Sequence, residues 1–271
     1  MTRPSWAPPE IDIDKPSIAR VYDYWIGGSH NFPVDREVGR TVEQANPLLP
    51  QTFRANRAFL RRAVRELSAL GIRQFLDVGS GIPTEGNVHE IALAGNPDSR
   101  IVYVDIDPVA VAHARAILAD EPRAVAIQGD LFKWVDILEA PETRALLDFD
   151  QPIAVILAAI IHFVPPDADP VALVDRYVEP LAEGSFLVVT HAGAETVPQA
   201  TPGFAARYQG AVNEVIWRDR SEVTELFQGL ELLAPGVVPV PLWRPEPGGD
   251  PDNLGADAPM LAGVARKVRP A

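Results

Sequence analysis

The chain has 271 residues, 47% of them hydrophobic, no cysteine and a formal net charge of −13 at neutral pH. That length can bury one sizeable core, and no uncharged apolar run of about eighteen residues signals a membrane span. Without cysteine there are no disulfides, zinc–thiolate sites or thiol nucleophiles, and the acidic balance repels a phosphate backbone unless a local basic patch overrides it.

The first seventy residues read as a helical cap. Pro4, Pro8, Pro9 and Pro16 suggest an extended leader with no secretory signal pattern, so a cytoplasmic protein is expected. Ile18, Val21, Tyr22 and Trp25 fall at helical spacing, and Gly27-Gly28 ends that run. A polar turn, Ser29 to Pro33, leads into a second helical run from Asp35. A third helix, roughly Pro50 to Leu70, carries Phe53, Leu60, Val64 and Leu67 on one stripe. It also bears Arg54, Arg57, Arg61, Arg62 and Arg65, which read as a solvated face rather than a nucleic-acid patch.

From residue 71 the pattern alternates strand, turn and helix. Gln74–Val78, Arg100–Val104, Ala124–Gln128, Pro152–Ile161 and Ser185–Thr190 are the strand candidates, and Thr84–Ala94, Val109–Ala119 and Val171–Leu181 the intervening helices. Asp107-Pro108 and Asp169-Pro170 each supply an N-cap followed by a first-turn proline. Helices near Phe204–Ile216 and Ser221–Phe227 precede two extended runs, Leu230–Val240 and Met260–Val268, with a Pro/Gly/Asp loop between them. The alternation predicts an α/β, Rossmann-like fold: a mostly parallel seven-stranded sheet with an antiparallel C-terminal edge, in one domain with residues 1–70 as cap and 71–271 as core.

In such a sheet the ligand lies beyond the C-terminal strand ends. Gly79-Ser80-Gly81 closes the first strand, Asp105 ends the second, where a carboxylate can accept ribose hydroxyls, and Asp130 ends the third, within reach of an adenine amino group. Asp77, Ile106, Leu131 and Ala158 complete the expected cofactor pocket. A dinucleotide fingerprint needs a third glycine where Thr84 stands, and Pro83 removes an N–H that a phosphate would use. Asp77 would oppose a pyrophosphate but suits a sulfonium amino acid, so the balance favours S-adenosylmethionine.

Asp77-Val-Gly-Ser-Gly-Ile-Pro-Thr84, Asn87-Val-His-Glu90, Val102-Tyr-Val-Asp-Ile-Asp-Pro108 and Pro16 to Gly28 together resemble a family of S-adenosylmethionine-dependent methyltransferases of high-GC actinobacteria, formerly a domain of unknown function. The resemblance extends over nearly the whole chain and implies a fold and a cofactor, not a substrate. The stretch Leu131-Phe-Lys-Trp134 departs from the expected pattern.

His162, after the fourth strand, is the candidate general base, with His191 behind it; His89 reads as packing, and His30 and His113 merely lie near motifs. Tyr22, Trp25, Asn31 and Phe32 are candidates for a cover over the acceptor, or for core contacts gluing the cap to the sheet. No metal site is expected. A small-molecule O-, N- or C-methyltransferase is the leading expectation, with no nucleic-acid or membrane partner. A non-catalytic S-adenosylmethionine-binding regulator and a nicotinamide-dependent oxidoreductase are the alternatives.

Overall fold

A computed structural model describes residues 12–83, 86–196, 215–247 and 252–269. Three helices come first: α1 (Ile18–Trp25), α2 (Pro33–Ala45) and α3 (Leu49–Ala69). The Ser17 side chain caps α1, while Asp35 near the start of α2 accepts from the Phe32 backbone N–H at 2.8 Å. The α/β core then runs β1 (Gln74–Val78), α4 (Val88–Gly95), β2 (Arg100–Asp105), α5 (Pro108–Ile117) and β3 (Ala124–Gln128). It continues through α6 (Trp134–Leu138), α7 (Pro141–Leu146), β4 (Ala154–Ala158), α8 (Pro170–Val178) and β5 (Phe186–Ala192). A short helix, Arg220–Glu225, precedes β6 (Glu231–Leu232), β7 (Val238–Pro239) and β8 (Met260–Arg266).

The sheet order is β3-β2-β1-β4-β5-β8-β6, with β7 also pairing β8. The first five strands are parallel, and β8 runs antiparallel to β5 from Phe186↔Arg266 to Ala192↔Met260. This is the expected mixed sheet, with an eighth strand because the extended run Leu230–Val240 divides into two two-residue strands around Pro235 and Gly236. Alternate residues of the parallel strands feed two cores. Phe75, Ile101, Tyr103 and Ile156 pack under α3 and α4, whereas Leu76, Val102, Val104, Val155 and Leu157 pack under α8.

Two expectations change. The helix after β1 starts at Val88, not Thr84, because Asn87 and Glu90 form a capping box there; Thr84 and Glu85 lie outside the described residues. The fourth strand stops at Ala158, where Ala159 turns to φ 56° and the chain enters a 3-10 turn at Ile161–Phe163. The short helices α6 and α7 were not expected. The run expected as helix near Phe204–Ile216 and the loop around Gly248 fall largely outside the described residues.

Candidate functional site

The C-terminal ends of β1, β2 and β4 converge on the glycine turn. Gly79 takes φ +77°, and a Cβ there would lie 2.8 Å from the Ile160 side chain, so the loop after β4 crosses directly over this residue. Gly81 takes φ +65° but faces open space, with nothing within 4 Å of a Cβ position. These are the two places in the turn where glycine's freedom is required. The backbone N–H groups of Gly79 and Ser80 both donate to the Val104 carbonyl, at 2.8 and 3.1 Å. The Gly81 N–H donates to Asp105 Oδ2 at 2.7 Å. All three turn N–H groups are thus spent inside the protein. Those three donors are therefore not available to a pyrophosphate.

Asp105 is held from both sides, its Oδ1 accepting from the Asp107 backbone N–H at 2.9 Å. Burial lifts its carboxyl to about 6, against the opposing effect of those backbone donors. Each oxygen retains a further lone pair, so a diol can still be accepted. Asp107 is a helix cap, as expected, and accepts from Val109 N at 2.8 Å. Ile106 beside it is 62% exposed, an apolar surface at the strand ends. Asp130 caps its own turn through Phe132 N at 3.0 Å, and the buried Leu131 gives its carbonyl to Tyr177 Oη at 2.8 Å. Ala158 is half-buried at the end of β4.

Asp77 is the most unusual carboxylate. It is buried in β1, and desolvation raises it to about 7; Arg57 opposes the rise and Asp105 reinforces it. No hydrogen bond to its carboxylate contributes from the described residues. Tyr22 of α1 stands nearby: burial raises its phenol, with Arg57, Asn56, Asp77 and Arg61 acting on it in turn. Asn56 Nδ2 donates to Tyr22 Oη at 3.2 Å, and the Tyr22 ring packs against Phe53 at 4.7 Å. Residues of α1, α3 and β1 therefore meet at one point.

The other three cover candidates are placed differently. Trp25 stacks on Phe53 and donates its indole N–H to the Gly39 carbonyl at 3.2 Å. Asn31 donates to Asp23 Oδ2 at 2.8 Å and to the Gly28 carbonyl at 2.9 Å. Phe32 lies under the Arg20 guanidinium and packs with Val109. These three build the cap, and only Tyr22 reaches the group around Asp77.

His162 sits beyond β4 in a buried cluster with His191 and Arg218. Its ring meets His191 edge-on at 5.8 Å, and its Nδ1 is buried with no hydrogen-bond partner among the described residues. Arg218 Nη1 approaches His191 Nε2 at 2.8 Å; a guanidinium can only donate, so Nε2 accepts and the ring proton resides on Nδ1, facing the Ala192 carbonyl at 2.9 Å. Burial, with Arg218 adding to it, lowers His191 to about 4. Burial, then His191 and Arg218, also push His162 well below the ordinary histidine value. Both imidazoles are neutral at physiological pH. His191 is a structural link from β5 to Arg218, whose Nη2 also holds the Val164 carbonyl at 2.8 Å. His89 binds Tyr103 Oη through Nδ1 at 2.8 Å, and His113 packs against His30. Among the described residues, no group of three His, Asp or Glu is placed to hold a metal ion.

The arginines of α3 separate into two sets. Arg54 pairs with Asp252, Arg65 with Glu246, and Arg62 donates to the carbonyls of Trp243 and Val240. Arg57 and Arg61 instead turn towards the glycine turn: Arg57 Nη2 reaches Asn87 Oδ1 at 3.5 Å, and Arg61 packs over Gly86. No continuous basic face remains. Arg57, Arg61 and Arg218 were not expected as site residues. Arg57 did carry a signal, since it occupies a stripe position in the series 53, 57, 60, 64, 67 that is otherwise apolar.

A family model described as S-adenosyl methyltransferase matches residues 4–268. A DUF574 family protein from Streptomyces avermitilis has a crystal structure similar over 94% of this chain and 100% of its own, with 41% identity and a TM-score of 0.89. A crystal structure from Thermobifida fusca is similar over 98% of this chain and 100% of its own, with 40% identity and a TM-score of 0.90. An O-methyltransferase family protein from Burkholderia thailandensis shares the fold at 12% identity, over 95% of this chain and 66% of its own, with a TM-score of 0.53. No curated protein matches the chain.

Proposed function

The chain belongs to the S-adenosyl methyltransferase family and is an S-adenosylmethionine-dependent methyltransferase; on that premise we propose that it methylates a small-molecule acceptor at the C-terminal ends of β1, β2 and β4. The observation that carries the site is the convergence of the open glycine turn at Gly81, the buried carboxylate of Asp77 and the twice-held carboxylate of Asp105. A turn whose Gly79, Ser80 and Gly81 N–H groups are already bonded within the protein, next to two carboxylates, fits a cationic, phosphate-free ligand better than a dinucleotide.

When bound, S-adenosylmethionine supplies a methyl group on a sulfonium, and transfer breaks that S–C bond, leaving S-adenosylhomocysteine. The protein's share of the work is placement. When the cofactor is bound, Asp105 would hold the ribose hydroxyls and Ile106 would offer an apolar face to the adenine, with Asp130 and Leu131 as further contacts. Asp77 faces the cationic end. Gly79, Ser80 and Ala158 would line the approach, and Tyr22 would cover it from the side of α1. His162, beyond β4, is the candidate to take a proton from the acceptor; burial, His191 and Arg218 keep its ring neutral in the resting protein and weaken it as a base. The absence of a continuous basic face on α3 and the net charge of −13 support a small acceptor over a nucleic acid.

Thermal unfolding with S-adenosylmethionine, S-adenosylhomocysteine and NADH tests the site, followed by a screen of small molecules and of RNA with methyl-labelled donor. At 100 times its dissociation constant, a native-state ligand adds about 2.7 kcal/mol, or about 5 °C for a chain of this size. Shifts with both sulfur compounds and none with NADH are expected, then label transfer to a small molecule that falls at least about 100-fold in His162→Ala. A response to NADH alone would overturn the site. Label passing only to RNA would overturn the acceptor class.

A further inference from the structure

Arg218 is buried, and among the described residues Glu222 acts on it only through space, without an ion pair. A buried cation without a paired counter-charge is costly, so stability alone does not account for it. Its backbone is fixed at the end of β5: the N–H donates to the Ala192 carbonyl at 3.2 Å, and the carbonyl accepts from the Ala194 N–H at 2.9 Å. From that anchorage the guanidinium reaches the carbonyls of Ile161 at 3.4 Å and Val164 at 2.8 Å, and His191 Nε2 at 2.8 Å. Two residues earlier, the Ile216 N–H donates to the His162 carbonyl at 2.8 Å. The near end of the same turn is also held from β5, where the Ala159 N–H donates to Thr190 Oγ1 at 2.9 Å and to the Thr190 carbonyl at 3.2 Å. Ala159 stands at φ 56°, a conformation that an L side chain rarely adopts, so the surroundings must impose it. Between these two ends, Ile160 lies over Gly79 and His162 meets His191.

We propose that Arg218 is a positioning residue for methyl transfer: it pins the turn after β4, keeping Ile160 on the glycine turn and His162 in place beside the reacting groups. The proposal rests on the donor edge and on His162 as assigned above. A guanidinium suits this task because its planar fork serves two carbonyls and an imidazole at once, which the compact ammonium of a lysine does not. Arg218 also sets the state of both rings. It holds His191 as the Nδ1–H tautomer, and, after burial and His191, it keeps the resting His162 neutral. Thr190 does the companion work at Ala159, where the turn is strained.

Calorimetric titration with S-adenosylhomocysteine and isotope-edited NMR of the histidine rings would be applied to the full-length protein, Arg218→Met, Arg218→Lys and Thr190→Val. His162→Gln and His191→Gln would assign the two rings. The charged or titratable groups facing these rings are each other and Arg218. In the unaltered protein both are expected to stay neutral from about pH 5 to 8, the range in which a histidine ordinarily changes charge. In Arg218→Met, His191 should lose its fixed tautomer and His162 should begin to titrate within that range. The Kd for S-adenosylhomocysteine should rise about 3- to 30-fold. Arg218→Lys should recover part of that affinity, and it carries the test should Arg218→Met not fold. Thr190→Val should raise the Kd about threefold with the His191 tautomer intact. A lower melting temperature with both rings and the Kd unchanged would make Arg218 a prop of the fold and overturn the proposal. Absence of binding to the unaltered protein would instead overturn the donor site itself, and the proposal with it.

Discussion

At the scale of single residues, the site is governed by what burial does to charge. Asp77 lies inside β1 with its carboxyl lifted to about 7 by desolvation; the charged or polar groups facing it are Arg57 from α3, Tyr22 from α1, and Asp105 and Tyr103 from β2. In the ligand-free protein this acid is therefore largely protonated at pH 6 and largely ionised at pH 8. Pairing with an ammonium requires the ionised form, so binding must release a proton wherever Asp77 still holds one. Affinity for S-adenosylhomocysteine should rise with pH and level off above 7, with a Kd about tenfold weaker at pH 6 than at pH 8. Titration calorimetry in two buffers of different ionisation enthalpy would show the proton released at pH 6. Asp77→Asn should flatten the profile, and a flat profile in the unaltered protein would sink the assignment. The carboxylates at strand ends were legible in the sequence because a parallel α/β pattern fixes where strand ends go. Arg57 was not, because the arginine-rich stretch around it looked like a solvated surface; only its place on an otherwise apolar stripe set it apart.

At the scale of elements, the cap is held by one buried ion pair that no helical periodicity could reveal. Arg20 on α1 and Asp35 on α2 meet at 2.7 Å with side chains 1% and 0% exposed. Asp35 also accepts from the backbone N–H of Ser17 at 2.9 Å and of Phe32 at 2.8 Å, so a single carboxylate joins the starts of both helices. Changing it to Asn leaves a buried guanidinium without its counter-charge and directs an amide NH2 at other donors. Breaking such a pair costs about 3–5 kcal/mol. Urea unfolding of Asp35→Asn should show a midpoint lowered accordingly, with an unchanged slope. A loss under about 1 kcal/mol would mean that the cap relaxes around the substitution. The expected cover residues belong to this assembly: Asn31 and Phe32 are fixed by their polar and packing partners between α1 and α2. The sequence showed aromatic and amide residues close together. Which of them faces the ligand depends on how α1 packs across α3, and that packing was beyond local pattern.

For the whole molecule, alternation of strand and helix gave the sheet order its broad form, but the joining of cap to core comes from α3. One face of α3 packs on the sheet through Phe59, Ala63 and Leu67, while its N-terminal half carries Phe53 against Tyr22 and Trp25. Arg62 and Phe59 tie the same helix to Trp243, so N-terminal and C-terminal segments share one hydrophobic cluster. Removing residues 1–48 would delete the buried side chains of Val21, Trp25, Phe32 and Val42 and uncover Phe53. At about 1.5–3 kcal/mol for each large side chain, the loss is comparable with the roughly 5–15 kcal/mol that holds a whole domain. The truncated chain should therefore show no cooperative thermal transition. The full chain should melt once, with tryptophan fluorescence and far-ultraviolet dichroism giving coincident curves. If residues 49–271 instead melted cooperatively near the temperature of the full chain, the cap would be a separable cover and not part of the fold.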